Sequence, residues 1–124
     1  MRAVIVANGI IAEPAPARAI AASAERLICA DGGTRHVLGW GLWPAVVVGD
    51  MDSLDADILG RLEAAGARLV RHPVHKDATD LELALDLALD EGATEITILG
   101  ALGGRLDHTL ANILLLTEPR FQCV

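Results

Sequence analysis

Five short runs rich in β-branched residues are separated by longer stretches dominated by Ala and Leu, and this alternation restricts the chain more than any other feature. The runs cover residues 3–7, 27–30, 45–48, 68–70 and 95–99, each a length suited to one strand. The stretches between and after them predict helices over 15–24, 34–40, 55–65, 79–91 and 106–117, with Gly66 and Gly92 as C-terminal stops. A repeated strand-then-helix series buries its apolar strands by laying helices over them. The expected architecture is therefore α/β: a doubly wound, open, mostly parallel sheet with helices on both faces. At 124 residues the chain is expected to form one domain, 1–124.

One stretch argues against its own period. Leu81, Leu83, Leu85, Leu87 and Leu89 alternate with polar or small residues, which taken alone indicates a strand. The stretch is too long for an ordinary strand, however, and has no β-branched residue after Thr79. It also opens with Thr79-Asp80-Leu81-Glu82, a capping-box pattern in which Thr and Glu side chains satisfy the first amides of a helix. The helix is the expected outcome.

Composition removes several functional classes. Apolar residues make up 52% of the chain but aromatic ones only Trp40, Trp43 and Phe121, so interleaved stacking on nucleic-acid bases is excluded. The formal charge of -7 repels a phosphate backbone, so a phosphorylated partner must be met by local cations, backbone amides or a bound metal. No apolar run approaches a membrane span, and Asn8-Gly9 interrupts the first apolar stretch too early for a signal peptide. Cys29 and Cys123 make no disulfide framework and read as idle thiols of a reducing, cytoplasmic compartment. His36, His72, His75 and His108 lack the pairing of a zinc site.

The carboxylates fall in a pattern. In an open α/β sheet ligands bind beyond the carboxyl ends of the strands, and there this sequence places Asp31, then Asp50 and Asp52, then Asp77 and Asp80, then Asp107. Carboxylates from four loops on one edge repel unless some are protonated or a cation lies among them; hard oxygen donors favour Mg2+. Each Asp also has an ordinary alternative: Asp52 or Ser53 as a helix cap, Asp80 as a partner of a helix dipole. Lys76 and the Gly103-Gly104-Arg105 loop bring cations and free amides to the same edge, which suits phosphate. Arg35 is either a further anion contact or a solvated surface residue. Neither a P-loop, nor the dinucleotide glycine pattern, nor a serine-hydrolase elbow is present.

Asp31-Gly32-Gly33, Gly49-Asp50-Met51-Asp52-Ser53, Lys76-Asp77-Ala78-Thr79-Asp80 and Gly103-Gly104-Arg105-Leu106-Asp107-His108 together resemble the ordered motifs of the thiamine pyrophosphokinase family, along residues 1–117. The resemblance implies transfer of an intact pyrophosphoryl group from ATP to the hydroxyl of thiamine, with Mg2+, giving AMP and thiamine diphosphate. It implies Asp50, Asp52 and Asp80 as metal and catalytic residues together with Arg105. Asp31, Gly32, Gly33, Lys76, Asp77, Gly104, Arg105 and Asp107 would then bind the nucleotide or organise its site. It also implies a second, β-sandwich domain after this one, completing the thiamine pocket across a homodimer interface and lying outside this chain. Nucleotide and Mg2+ binding by the chain, rather than full turnover, is the expectation. The competing readings are a pyrophosphokinase acting on another alcohol, such as a hydroxymethylpterin, and a non-catalytic nucleotide-binding module.

Overall fold

The computed structural model describes residues 2–9, 11, 14–30, 32–49, 54–71 and 80–100. Along the chain these form β1 (Arg2–Val6), α1 (Pro14–Ala22), β2 (Arg26–Ala30), α2 (Gly33–Gly39), β3 (Val46–Gly49), α3 (Ala56–Ala64), β4 (Arg68–Arg71), α4 (Asp80–Asp90) and β5 (Glu95–Leu99). The strands make one sheet in the order β4-β3-β2-β1-β5, and every pairing is parallel. The α/β expectation holds, and each described element lies within a residue or two of its expected bounds. The expected helix over 106–117, the Thr79 side of the capping box and Cys123 lie outside the described residues.

Strands buried on both faces need continuous apolar runs, and β1, β2 and β3 have them. Alternate residues then serve opposite faces. Ala3 and Ile5, Ile28 and Ala30, Val46 and Val48, and Ile96 pack into one cluster with α4. Val4 and Val6, Leu27 and Cys29, and Val47 pack into the other with Ala21 of α1, Val37 of α2 and Leu62 of α3. Three successive crossovers thus cover one face and the fourth covers the other, so the sheet is doubly wound.

The leucine-rich stretch is the helix α4, and its packing shows why the period of two did not prevail. Leu81, Ala84, Leu85 and Ala88 are buried against the sheet at spacings of three and one, the stripe of a helix. Leu83 and Leu87 flank that stripe only partly buried, and Leu89 is among the exposed large apolar residues. A single helix face cannot hold five leucines at alternate positions.

The helix stops fall where the glycines predicted them. After α3, Ala67 N–H donates to Leu62 O at 2.9 Å and Gly66 N–H to Glu63 O at 3.0 Å; after α4, Ala93 and Gly92 repeat this with Ala88 and Leu89 at 3.0 Å. Both are the paired C-terminal bonds that require a left-handed residue, and Gly66 and Gly92 supply φ of 90° and 91°. The N-cap of α3 is Asp55, whose carboxylate accepts from Ile58 N–H at 2.9 Å, so this helix is capped without Asp52 or Ser53. No described helix is long and apolar enough to cross a membrane.

Candidate functional site

Because all five strands run parallel, their last residues, Val6, Ala30, Gly49, Arg71 and Leu99, share one edge. The strand order also fixes a switch point. From β1 the chain steps outward through β2, β3 and β4, then returns to place β5 on the far side of β1. The order thus reverses at β1, between β2 and β5, and the crevice at the carboxyl ends of the strands around such a switch point is the usual ligand position.

Main-chain bonds and glycines build this crevice. Ala7 N–H donates to Leu99 O at 2.8 Å and Gly9 N–H to Gly100 O at 2.7 Å, carrying the β1–β5 ladder past the strand ends. Gly100 has φ of 73°, and a Cβ there would come within 2.7 Å of Ala7 O. On the other side of β1, a Cβ at Gly32 would collide with the Asn8 side chain and one at Gly33 with Val6 O. Glycine at these positions is thus what lets the second and fifth loops close upon the first. The sequence motif Asp31-Gly32-Gly33 accordingly has a packing reason for its glycines alongside the binding role expected of them.

Side chains complete the closure. His36, one turn into α2, donates from Nε2 to Gly9 O at 2.8 Å, and its ring stacks on Trp40 with centroids 6.1 Å apart and an interplanar angle of 21°. Beneath them Thr34 is fully buried, as is Cys29 on β2. Burial pushes the Cys29 thiol up to about 12, while its hydrogen bond with Thr34 acts the other way. A thiol held protonated in this way is no nucleophile, so Cys29 is the idle cysteine that the sequence suggested.

Arg35 is exposed on α2, and of the motif residues nominated from the sequence the structure describes three. Gly32 and Gly33 lie at the crevice, against Asn8 and Val6, and half-buried Asp80 begins α4 on the chain returning from the carboxyl end of β4. With Glu82 it places negative charge in the first turn, which complements the helix dipole. Asp31, Asp50, Asp52, Lys76, Asp77, Gly104, Arg105 and Asp107 lie outside the described residues, as do His72, His75 and His108. Their attachment points are described: Ala30 precedes Asp31, Gly49 precedes Asp50, Arg71 begins the segment to Lys76 and Asp77, and Gly100 begins that to Arg105. Asn8 and His36 were missed as parts of this edge. The fold rule that ligands bind at the first strand's carboxyl end was the available signal for Asn8; the contact of His36 with a residue 27 positions earlier had none.

A doubly wound parallel sheet, with a switch point at β1 and acidic segments following its strand ends in sequence, places the chain in the open α/β class that binds ligands at that edge. The particular family follows from comparison with known proteins. The thiamin pyrophosphokinase catalytic-domain family matches residues 17–124, and the chain belongs to that family. The thiamine pyrophosphokinase of Bacillus subtilis is 44% identical over 86 residues, which is 69% of this chain and 40% of that protein. Among solved structures, a thiamin pyrophosphokinase family protein from Enterococcus faecalis superposes with a TM-score of 0.76 at 38% identity, covering 98% of this chain and 56% of the other. The Bacillus subtilis enzyme gives a TM-score of 0.74 at 35% identity over 94% of this chain and 54% of its own. The chain therefore spans about half the length, or less, of the relatives it matches.

Proposed function

We propose that this chain is the ATP-binding catalytic domain of a thiamine pyrophosphokinase, which transfers the β,γ-pyrophosphoryl group of ATP to the hydroxyl of thiamine. The observation that carries this reading is the family match over residues 17–124 together with the gathering of all five strand ends on one edge, from which the motif-bearing loops leave. The named relatives being thiamine pyrophosphokinases, thiamine is favoured over a pterin as acceptor.

In this reaction the acceptor oxygen attacks the β-phosphorus, the bond from that phosphorus to the oxygen bridging the α-phosphate breaks, AMP leaves, and the hydroxyl proton passes to a base. The chain's task is to place the two reactants in line and to balance the charge on the phosphate oxygens. Lys76 and Arg105 hold phosphates in this reading. Asp31, Gly32, Gly33, Asp77, Gly104 and Asp107 seat the nucleotide or organise its surroundings. Asp50, Asp52 and Asp80 offer hard carboxylate oxygens, a donor set that fits Mg2+, and would hold it. When bound, that ion neutralises phosphate charge and orients the transferred group. The reading extends to a cytoplasmic homodimer of the full-length protein and to a further domain beyond this one that completes the thiamine pocket.

Calorimetric titration of the chain with a non-hydrolysable ATP analogue and Mg2+ tests the binding half. Saturable heat with an affinity between about 1 µM and 1 mM is expected, and a folded chain giving no heat above buffer overturns it. For the chemical half, Asp52→Asn in the full-length enzyme should lower AMP formation with thiamine by about 100- to 1,000-fold. Unchanged AMP release would remove this carboxylate from the mechanism.

A further inference from the structure

We infer that His36 is a positioning residue for the nucleotide, holding the turn after β1 at the mouth of the switch-point crevice; the inference rests on the functional reading above. Three observations converge on this turn. It follows β1 and contributes none of the motif carboxylates, yet the strands on either side of β1, β2 and β5, lead in sequence into segments that do. It is joined to both by one continuous path: His36 Nε2–H donates to the carbonyl of Gly9 at 2.8 Å, and the amide of that same Gly9 donates to the carbonyl of Gly100 at 2.7 Å. And the closure is tight, since a Cβ at Gly32 would strike Asn8.

The path makes His36 more than a surface histidine. A carbonyl oxygen can only accept, so the ring must carry its proton on Nε2, and the stack on Trp40 one turn later fixes the ring plane that aims it. Without this donor Gly9 loses its bond to α2, and its remaining bond, from its amide to Gly100 O, opens more often. The exposed side chain of Asn8, next along the chain, would then be free to move away from Gly32. A ligand bound across the crevice would have to order that turn on binding, which weakens affinity.

Two substitutions in the full chain separate the donor from the ring. His36→Phe keeps the stack and removes the proton; His36→Gln keeps an N–H donor and removes the ring. Affinity for the Mg2+–ATP analogue should fall about 3- to 10-fold in His36→Phe and stay within about twofold in His36→Gln. Exchange of the Gly9 amide with solvent should quicken in the first variant and not in the second. Unchanged affinity in His36→Phe overturns the inference, and so does normal binding by His36→Phe with weak binding by His36→Gln. If the unmodified chain binds no nucleotide, the functional reading fails on its own account. The Gly9 exchange rates then decide whether His36 holds the turn, and equal rates in all three proteins would show that it does not.

Discussion

The two ends of the sheet are held together by different chemistry. At the amino end, long charged side chains act as staples. Arg26 at the start of β2 forks onto Glu91 beyond α4 with bonds of 2.9 and 2.8 Å, and Arg2 at the start of β1 reaches Ser23 O. At the carboxyl end, main chain, glycines and one imidazole hold the turn after β1 against its neighbours. The difference is instructive because bonds between backbone groups hold whatever the charge nearby, whereas ion pairs depend on it. An end whose structure is fixed by backbone bonds can carry a concentration of like charge in its loops, whereas an end fixed by ion pairs cannot change its charges without loosening.

The comparison breaks most readily at Gly33. An added methyl there meets the carbonyl of Val6, a backbone atom that cannot swing aside. Gly33→Ala should therefore cost about 3 kcal/mol, the upper part of the range for overpacking, read as a lower urea midpoint. A loss below about 0.5 kcal/mol would mean that the β1–α2 contact yields easily and is not what closes this edge.

Next in size is the response of Cys29, which reports whether the strands beneath the crevice stay dry. Its thiol is raised from 9.0 to about 12 by burial, so the unfolded chain ionises first as pH rises. The stability it contributes is complete below pH 9 and declines between pH 9 and 12. By pH 10 the decline should be on the order of 1 kcal/mol relative to neutral pH beyond that of Cys29→Ala, measured by urea unfolding of both proteins. Parallel pH profiles would indicate water at β2.

The smallest effect is expected at the amino end. The Arg26–Glu91 pair is partly exposed, with side chains 34% and 22% accessible, so Arg26→Ala should cost about 1 kcal/mol and less in high salt. Nucleotide affinity should stay as it was. A drop in affinity would show that the two ends of the sheet are coupled, contrary to the division of labour drawn above.

Much of this was legible before any coordinates. Residues 3–7 and 27–30 are apolar throughout because central parallel strands are covered on both sides, and that requirement is visible in a one-dimensional string. Gly66 and Gly92 declared their helix ends through local backbone chemistry, with no help from distant residues. Asp55 is another local signal, its cap closing within one turn. The motif order from Asp31 to Asp107 could be read as a set because each motif follows a strand, and parallel strands end together.

What could not be read is equally specific. The leucines between positions 81 and 89 fit two periods, and only the sheet surface, by accepting Leu81 and Leu85 and leaving Leu89 in solvent, chose between them. The glycines of Asp31-Gly32-Gly33 look like a binding motif in sequence; that they also admit Asn8 and the Val6 carbonyl appears only when β1 and β2 lie side by side. The sequence by itself determined the elements, their parallel sense and the edge that carries the acidic loops, since periodicity, capping and turn chemistry act over a few residues. Tertiary structure alone decided that β5 returns to the far side of β1 and that His36 reaches Gly9, because contacts between residues distant in the chain depend on how whole elements pack and leave no periodic trace in the sequence.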